Sequence, residues 1–152
     1  MNERLRNYWL LLRLLPFLAI SGTRRRLLRE MMAFVRQLPT IMRQPLPQAM
    51  QAVMVEQASY DFDVATVRDL ADLASALERQ SVPGICLKRS LTRYRYLHHR
   101  VPLTVIFGAK LVKGAARRDV AGHAWLELEG KAWFESAENY ESFTPLFRWP
   151  LA

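Results

Sequence analysis

The chain has one cysteine, Cys86, in the stretch Ser81-Val-Pro-Gly-Ile-Cys-Leu-Lys-Arg-Ser90. Pro83 and Gly84 stop one helix, and a second is expected from at or just before Cys86 to about His99. Leu87, Leu91, Tyr94 and either Leu97 or His98 share one face of it, and Cys86 sits in its first turn, displaced from that stripe. A free cysteine is ordinarily a small buried hydrophobe. A helix start changes its chemistry, because unpaired N–H groups and the helix dipole favour a thiolate. Lys88, Arg89 and Arg93 add basic charge on the same helix. A nucleophile also needs a base, and a third group to orient that base.

The histidines are His98, His99 and His123. The first two fall at the far end of the cysteine's own helix, roughly 18 Å away at the helical rise per residue. They cannot serve Cys86. His123 lies in Gly122-His-Ala-Trp-Leu-Glu-Leu-Glu129, an alternating segment that reads as a strand with His123, Trp125 and Glu127 on one face. A histidine on a strand is ordinarily structural, so its neighbours decide. A three-residue loop, Leu128-Glu129-Gly130, would set Glu127 opposite Lys131, Trp125 opposite Trp133 and His123 opposite Glu135. Opposed side chains of that kind are within hydrogen-bonding reach. A two-residue turn, Glu129-Gly130, would place Glu135 on the other face. The three-residue loop is the expectation.

Other elements must hold these residues. A helix is expected near 3–20, then one from Arg24 to about Leu38 capped by Thr23, a shorter one over Gln48 to Gln57, and one over Val64 to Gln80 capped by Asp63. From Leu103 the pattern becomes strand-like, with Leu-Thr-Val-Ile-Phe-Gly108 ending at its glycine. A basic loop or weak strand follows over Lys110 to Asp119, and Ala132 to Glu135 reads as a return strand. Helices followed by a strand meander indicate an α+β fold. Residues 1–60 read as a helical extension packed on a core formed by 61–152.

Composition limits the function. The 51% apolar content suits a globular chain. A single cysteine makes no internal disulfide, and no Cys/His spacing suits zinc. The apolar run Tyr8 to Ile20 contains Arg13 and Pro16 and is too short to span a bilayer, so a cytoplasmic chain is expected. The net charge of +8 is concentrated: residues 1–45 hold nine arginines and two acids. Such a basic arm suits nucleic acid, anionic lipid, an acidic protein surface or a solvated helix face, and no nucleic-acid fold signature accompanies it.

Cys86-Leu-Lys-Arg-Ser90 opening a helix, Gly122-His-Ala-Trp-Leu-Glu127 on a strand, and an acid twelve residues after the histidine resemble a known family. They are similar to the transglutaminase-like cysteine peptidases of lasso-peptide biosynthesis, the leader peptidases called B2 proteins where the maturation protein is split in two. The likeness covers about residues 64–136. It implies a transglutaminase-like, papain-like core with Cys86 as nucleophile, His123 as general base and Glu135 as the orienting acid. The family usually has aspartate at the third position, which leaves Asp119 and then Glu138 as alternatives. Gln80 has the spacing of the oxyanion glutamine of papain-like peptidases, although an ordinary helix-end glutamine is the preferred reading.

The resemblance implies no cofactor and no metal. It implies three partners: a precursor peptide, a separate winged-helix leader-recognition protein (B1), and an ATP-using lasso cyclase. Residues 1–60 show no winged-helix pattern. Two rival readings stand beside it: a non-catalytic interaction module with a basic arm, and a transglutaminase-like enzyme acting on another peptide.

Overall fold

The computed structural model describes residues 9, 11–16, 19, 21–54, 60–78, 83–113 and 118–150. Most of the helix expected near 3–20, the end of that expected over 48–57, Gln80 and the centre of the basic loop lie outside them; residues 11–16 are helical. Helix α1 (Gly22–Ile41) is capped by Ser21 rather than Thr23, the Ser21 hydroxyl accepting the Arg24 N–H at 3.3 Å. It also runs past Pro39, because a proline near the last turn forfeits one bond while Met42 N–H still reaches Leu38 O at 2.9 Å. Helix α2 (Leu46–Val53) carries Pro47 in its first turn, where the missing N–H costs nothing. Helix α3 (Val64–Leu77) is capped by Asp63 as expected, the carboxylate accepting Thr66 N–H at 2.8 Å, and it ends three residues early. Helix α4 (Ile85–Leu97) carries Cys86 in its first turn.

A four-stranded antiparallel sheet follows: β1 (Leu103–Lys113), β2 (Arg118–Leu128), β3 (Lys131–Ala132) and β4 (Thr144–Trp149), with helix α5 (Ala137–Tyr140) before the last strand. The strand order is β3-β2-β1-β4. Helices and an antiparallel sheet make the fold α+β. Leu27, Met31, Leu38, Met50, Leu70, Leu91 and Leu126 belong to one buried cluster, so α1 and α2 share their core with α3, α4 and the sheet. In α1 that cluster follows from apolar residues at Leu27, Met31, Phe34 and Leu38, all on one side of the helix. Among the described residues no helix is long and apolar enough to cross a membrane.

Three features of the sheet differ from expectation. Strand β1 does not stop at Gly108 but continues to Lys113, and Gly108 marks the register shift against β4. A mid-strand glycine commonly signals a bulge or a close approach, and Gly108 is both: a Cβ there would stand 2.7 Å from the Trp125 ring. Strand β4 escaped notice because Pro145 interrupts a short run, and proline is tolerated there because β4 is an edge strand.

The third difference is the hairpin. Glu127 pairs with Ala132 and Leu128 with Lys131, so the loop is the two-residue Glu129-Gly130 and not the three-residue one. Both residues have positive φ, 51° and 75°, the signature of the type I′ turn whose twist matches that of the strands it joins. The expected Glu127–Lys131 and Trp125–Trp133 pairs are therefore absent. The return strand is only two residues long. Trp133 N–H still donates to Leu126 O at 2.8 Å, but Phe134 adopts φ 51° and turns the chain out of the ladder before Glu135.

Candidate active site

The geometry begins where α4 meets β2. The Ser90 hydroxyl donates to the Ala124 carbonyl at 3.0 Å, which sets the helix one turn beyond Cys86 against the neighbour of His123. Gly84 is the helix cap and has no side chain to satisfy the first N–H groups. Leu87 and Lys88 close their N–H groups onto Gly84 O at 3.1 Å each, whereas those of Ile85 and Cys86 have no intrahelical acceptor. Cys86 is half-buried. With Gly84 and Leu87 it forms one wall of a pocket of about 230 Å³, whose other wall is Phe107, Gly108, Gly122, His123 and Ala124. Gly108 stands directly across the ladder from His123. Cys86 and His123 thus face one cavity, although 37 positions separate them in the sequence.

The His123 ring lies on Trp125 (centroids 5.9 Å, planes 22° apart) and against Phe143 at 5.0 Å. Its Nε2 is buried without a hydrogen-bond partner among the described residues. Burial pushes its pKa below the ordinary histidine value; the Glu135 carboxylate pulls the other way, while Arg89 and Lys110 add to the lowering. The imidazole is therefore kept neutral near pH 7, the form able to take a proton.

Glu135 reaches this place by the Phe134 turn and not by the hairpin register. Its side chain is only 4% exposed. One carboxylate oxygen accepts from Asn139 Nδ2 at 2.6 Å and the other from Arg89 Nη2 at 3.3 Å. Asp119 and Glu138 are exposed, and of the three candidate acids only Glu135 acts electrostatically on His123. His98 and His99 lie at the opposite end of α4 from Cys86, where His98 Nδ1 is 3.0 Å from Tyr94 O.

Of the basic residues of α4 the sequence singles out Lys88, Arg89 and Arg93, and each has a partner other than the thiol. All three are buried: Lys88 donates to Glu78 O at 2.7 Å, Arg93 pairs with Asp72, and Arg89 pairs with Glu135. Burial also lowers the Lys88 pKa, with Glu78 opposing. A thiolate at Cys86 would rely on the helix start and on His123. Sequence reading missed Asn139, Phe143 and the Ser90 bond. Ser90 alone left a trace, as a polar residue one turn after the cysteine on a packed helix.

No curated protein and no solved structure matches the chain. The family model of the transglutaminase-like superfamily matches residues 28–148, from the first turns of α1 to the end of β4, and the chain belongs to that superfamily.

Proposed function

We propose that this chain is a cytoplasmic cysteine peptidase that removes the leader from a ribosomally made lasso precursor peptide. The observation that carries the reading is one pocket shared by Cys86, at an uncapped helix start, and His123, on which a buried carboxylate acts electrostatically. His123 takes the thiol proton, and the Cys86 sulfur attacks the amide carbonyl joining leader to core. The oxyanion so formed is within the province of the Cys86 N–H. Collapse breaks the C–N bond, the His123 imidazolium gives its proton to the leaving amine, and a thioester remains on Cys86. Water, deprotonated by His123, then attacks the thioester, releasing the leader carboxylate and restoring the thiol. Glu135 stabilises the imidazolium between these transfers.

Leader recognition would fall to a separate winged-helix protein and ring closure to an ATP-using cyclase. The arginine-rich face of α1 is the surface proposed for the recognition protein, the acidic leader or the cyclase, with Arg26 and Arg29 exposed on it. Leu27, Met31 and Leu38 of the same helix are core residues, so charge reversal at Arg29, not truncation, is the fitting probe of that surface.

The test is incubation with a candidate precursor peptide and the recognition protein, comparing the wild-type chain with Cys86→Ala and His123→Gln. Cleavage by wild type alone is expected, with iodoacetamide alkylation of Cys86 slowed by His123→Gln. Equal cleavage by wild type and Cys86→Ala would end the peptidase reading.

A further inference from the structure

A ring that must accept and return a proton has to be held in one orientation, yet no hydrogen bond holds His123 at Nε2. Flat neighbours hold it instead, and the nearest-parallel of these, Trp125, is itself fixed within its plane. The Trp125 indole N–H donates to Glu127 Oε1 at 3.2 Å, and Arg148 Nη1 donates to Glu127 Oε2 at 2.8 Å. Ile106 pairs across the ladder with both Trp125 and Arg148, so this chain of contacts bridges β2 to β4 over β1 on the face that carries His123. Tyr140 packs on Trp125 at 5.6 Å, and Gly108 provides the space that the indole edge occupies.

Glu127 is 9% exposed, and burying a carboxylate is costly unless it is paired and hydrogen-bonded. Both of its oxygens are used, one by the arginine and one by the indole. Stacking alone would let an aromatic ring slide or rotate in its plane; one directional bond to the indole removes that freedom. The acceptor is thus placed where it governs the surface on which the imidazole rests.

We propose that Glu127, anchored by Arg148, is a positioning residue for His123 and acts through the plane of Trp125. The inference rests on the reading of His123 as the general base. The experiment compares Glu127→Leu, Glu127→Gln, Trp125→Phe and Arg148→Met by leader-cleavage kinetics, by the NMR shifts and titration of the His123 ring, and by melting temperature. Glu127→Leu and Trp125→Phe are expected to lower kcat between about tenfold and 100-fold with KM unchanged, the scale of a small misplacement of a reacting group. Both should displace the His123 ring resonances. Glu127→Gln should recover most of the loss, because its amide oxygen still accepts the indole N–H, and Arg148→Met should give an intermediate result.

Unchanged His123 resonances in Glu127→Leu would overturn the proposal. So would a kcat in Glu127→Gln as low as in Glu127→Leu, or losses that merely follow melting temperature across the four variants. The general-base reading fails separately, if Cys86 alkylation is indifferent to His123→Gln; the NMR comparison then still decides whether Glu127 sets the ring.

Discussion

Arg93 and Arg89 stand about one turn apart on α4, both buried and both facing a carboxylate, yet their pairs are built differently. Arg93 meets Asp72 of α3 with two bonds of 2.6 Å each, a bidentate fork that joins two helices. Arg89 meets Glu135 with a single bond of 3.3 Å, and its Nε is buried with no partner. Beside it the His123 Nε2 is also buried and unpartnered. Buried polar groups are satisfied almost everywhere in native proteins, and groups left over call for an explanation. The closed pair is a clamp between helices. In the open one the carboxylate also acts electrostatically on His123, and under the proposed mechanism incomplete pairing suits a group that responds to a moving proton.

The sharpest way to break this contrast is to remove the shared charge. Glu135→Gln keeps the size and its one amide oxygen can still accept from Asn139 or Arg89, but it cannot stabilise an imidazolium. Its kcat for leader cleavage is expected to fall by roughly 10²–10⁴-fold, the range of acid–base assistance. Asp119→Asn and Glu138→Gln should leave the rate near wild type. A full loss in Asp119→Asn with none in Glu135→Gln would transfer the acid's role and remove the contrast between the two arginines.

The closed pair should show its effect in stability. Arg93→Met leaves Asp72 without its partner, and breaking a buried pair costs about 3–5 kcal/mol. For a chain of this size that lowers the melting temperature by something on the order of 10 °C. The pH profile of the activity that remains should not move, because Arg93 is absent from the groups acting on His123.

Dependence on pH separates the two sites by sign. Burial depresses the His123 pKa, so the acid limb of kcat/KM should lie below the ordinary histidine value of 6.5. Glu135 raises that pKa and Arg89 lowers it, so Glu135→Gln should move the limb further down and Arg89→Met should move it up. The same depression contributes folding stability that is fully present above about pH 6.5 and is lost as pH falls through the lower, folded-state value. His123→Gln should flatten the stability curve in that window. His99, also depressed by burial, leaves a residual slope there.

What the sequence showed, and what it hid, follows the same division. The cysteine helix was legible because Pro83, Gly84 and the spacing of Leu87, Leu91, Tyr94 and Leu97 are local signals, and the helix runs Ile85–Leu97. The strand carrying His123 was legible by alternation. The hairpin register is not legible, because Leu128-Glu129-Gly130 and Glu129-Gly130 share the glycine and differ in the backbone angles of Leu128 and Glu129, a choice that side-chain chemistry barely signals. Glu135 nevertheless lies within the field of His123, by a kink that no periodicity encodes. The partners of Lys88, Arg89 and Arg93 were hidden for another reason: Glu78, Glu135 and Asp72 lie 10, 46 and 21 positions away.

That kink supplies the smallest expected effect and the finest test. Phe134 holds φ 51°, a conformation that costs a non-glycine residue roughly 1–2 kcal/mol, and the residue is 60% exposed with the Arg68 guanidinium 4.1 Å from its ring centre. Phe134→Gly relieves the backbone cost but forfeits the cation–π contact, worth about 0.5–1 kcal/mol at an exposed site, and loosens the unfolded chain by a similar amount. These terms nearly cancel, so stability should change by less than about 1 kcal/mol with cleavage retained. Phe134→Val faces the opposite balance: a β-branched residue tolerates positive φ poorly and also lacks the ring. The chain would be driven back toward the extended ladder, whose register carries Glu135 to the face away from His123. Chemical denaturation should record a loss of about 1–2 kcal/mol, and kcat should fall toward that of Glu135→Gln. Full activity in Phe134→Val would show that Glu135 is held by Arg89 and Asn139 alone, and that the kink is a consequence of the site rather than its cause.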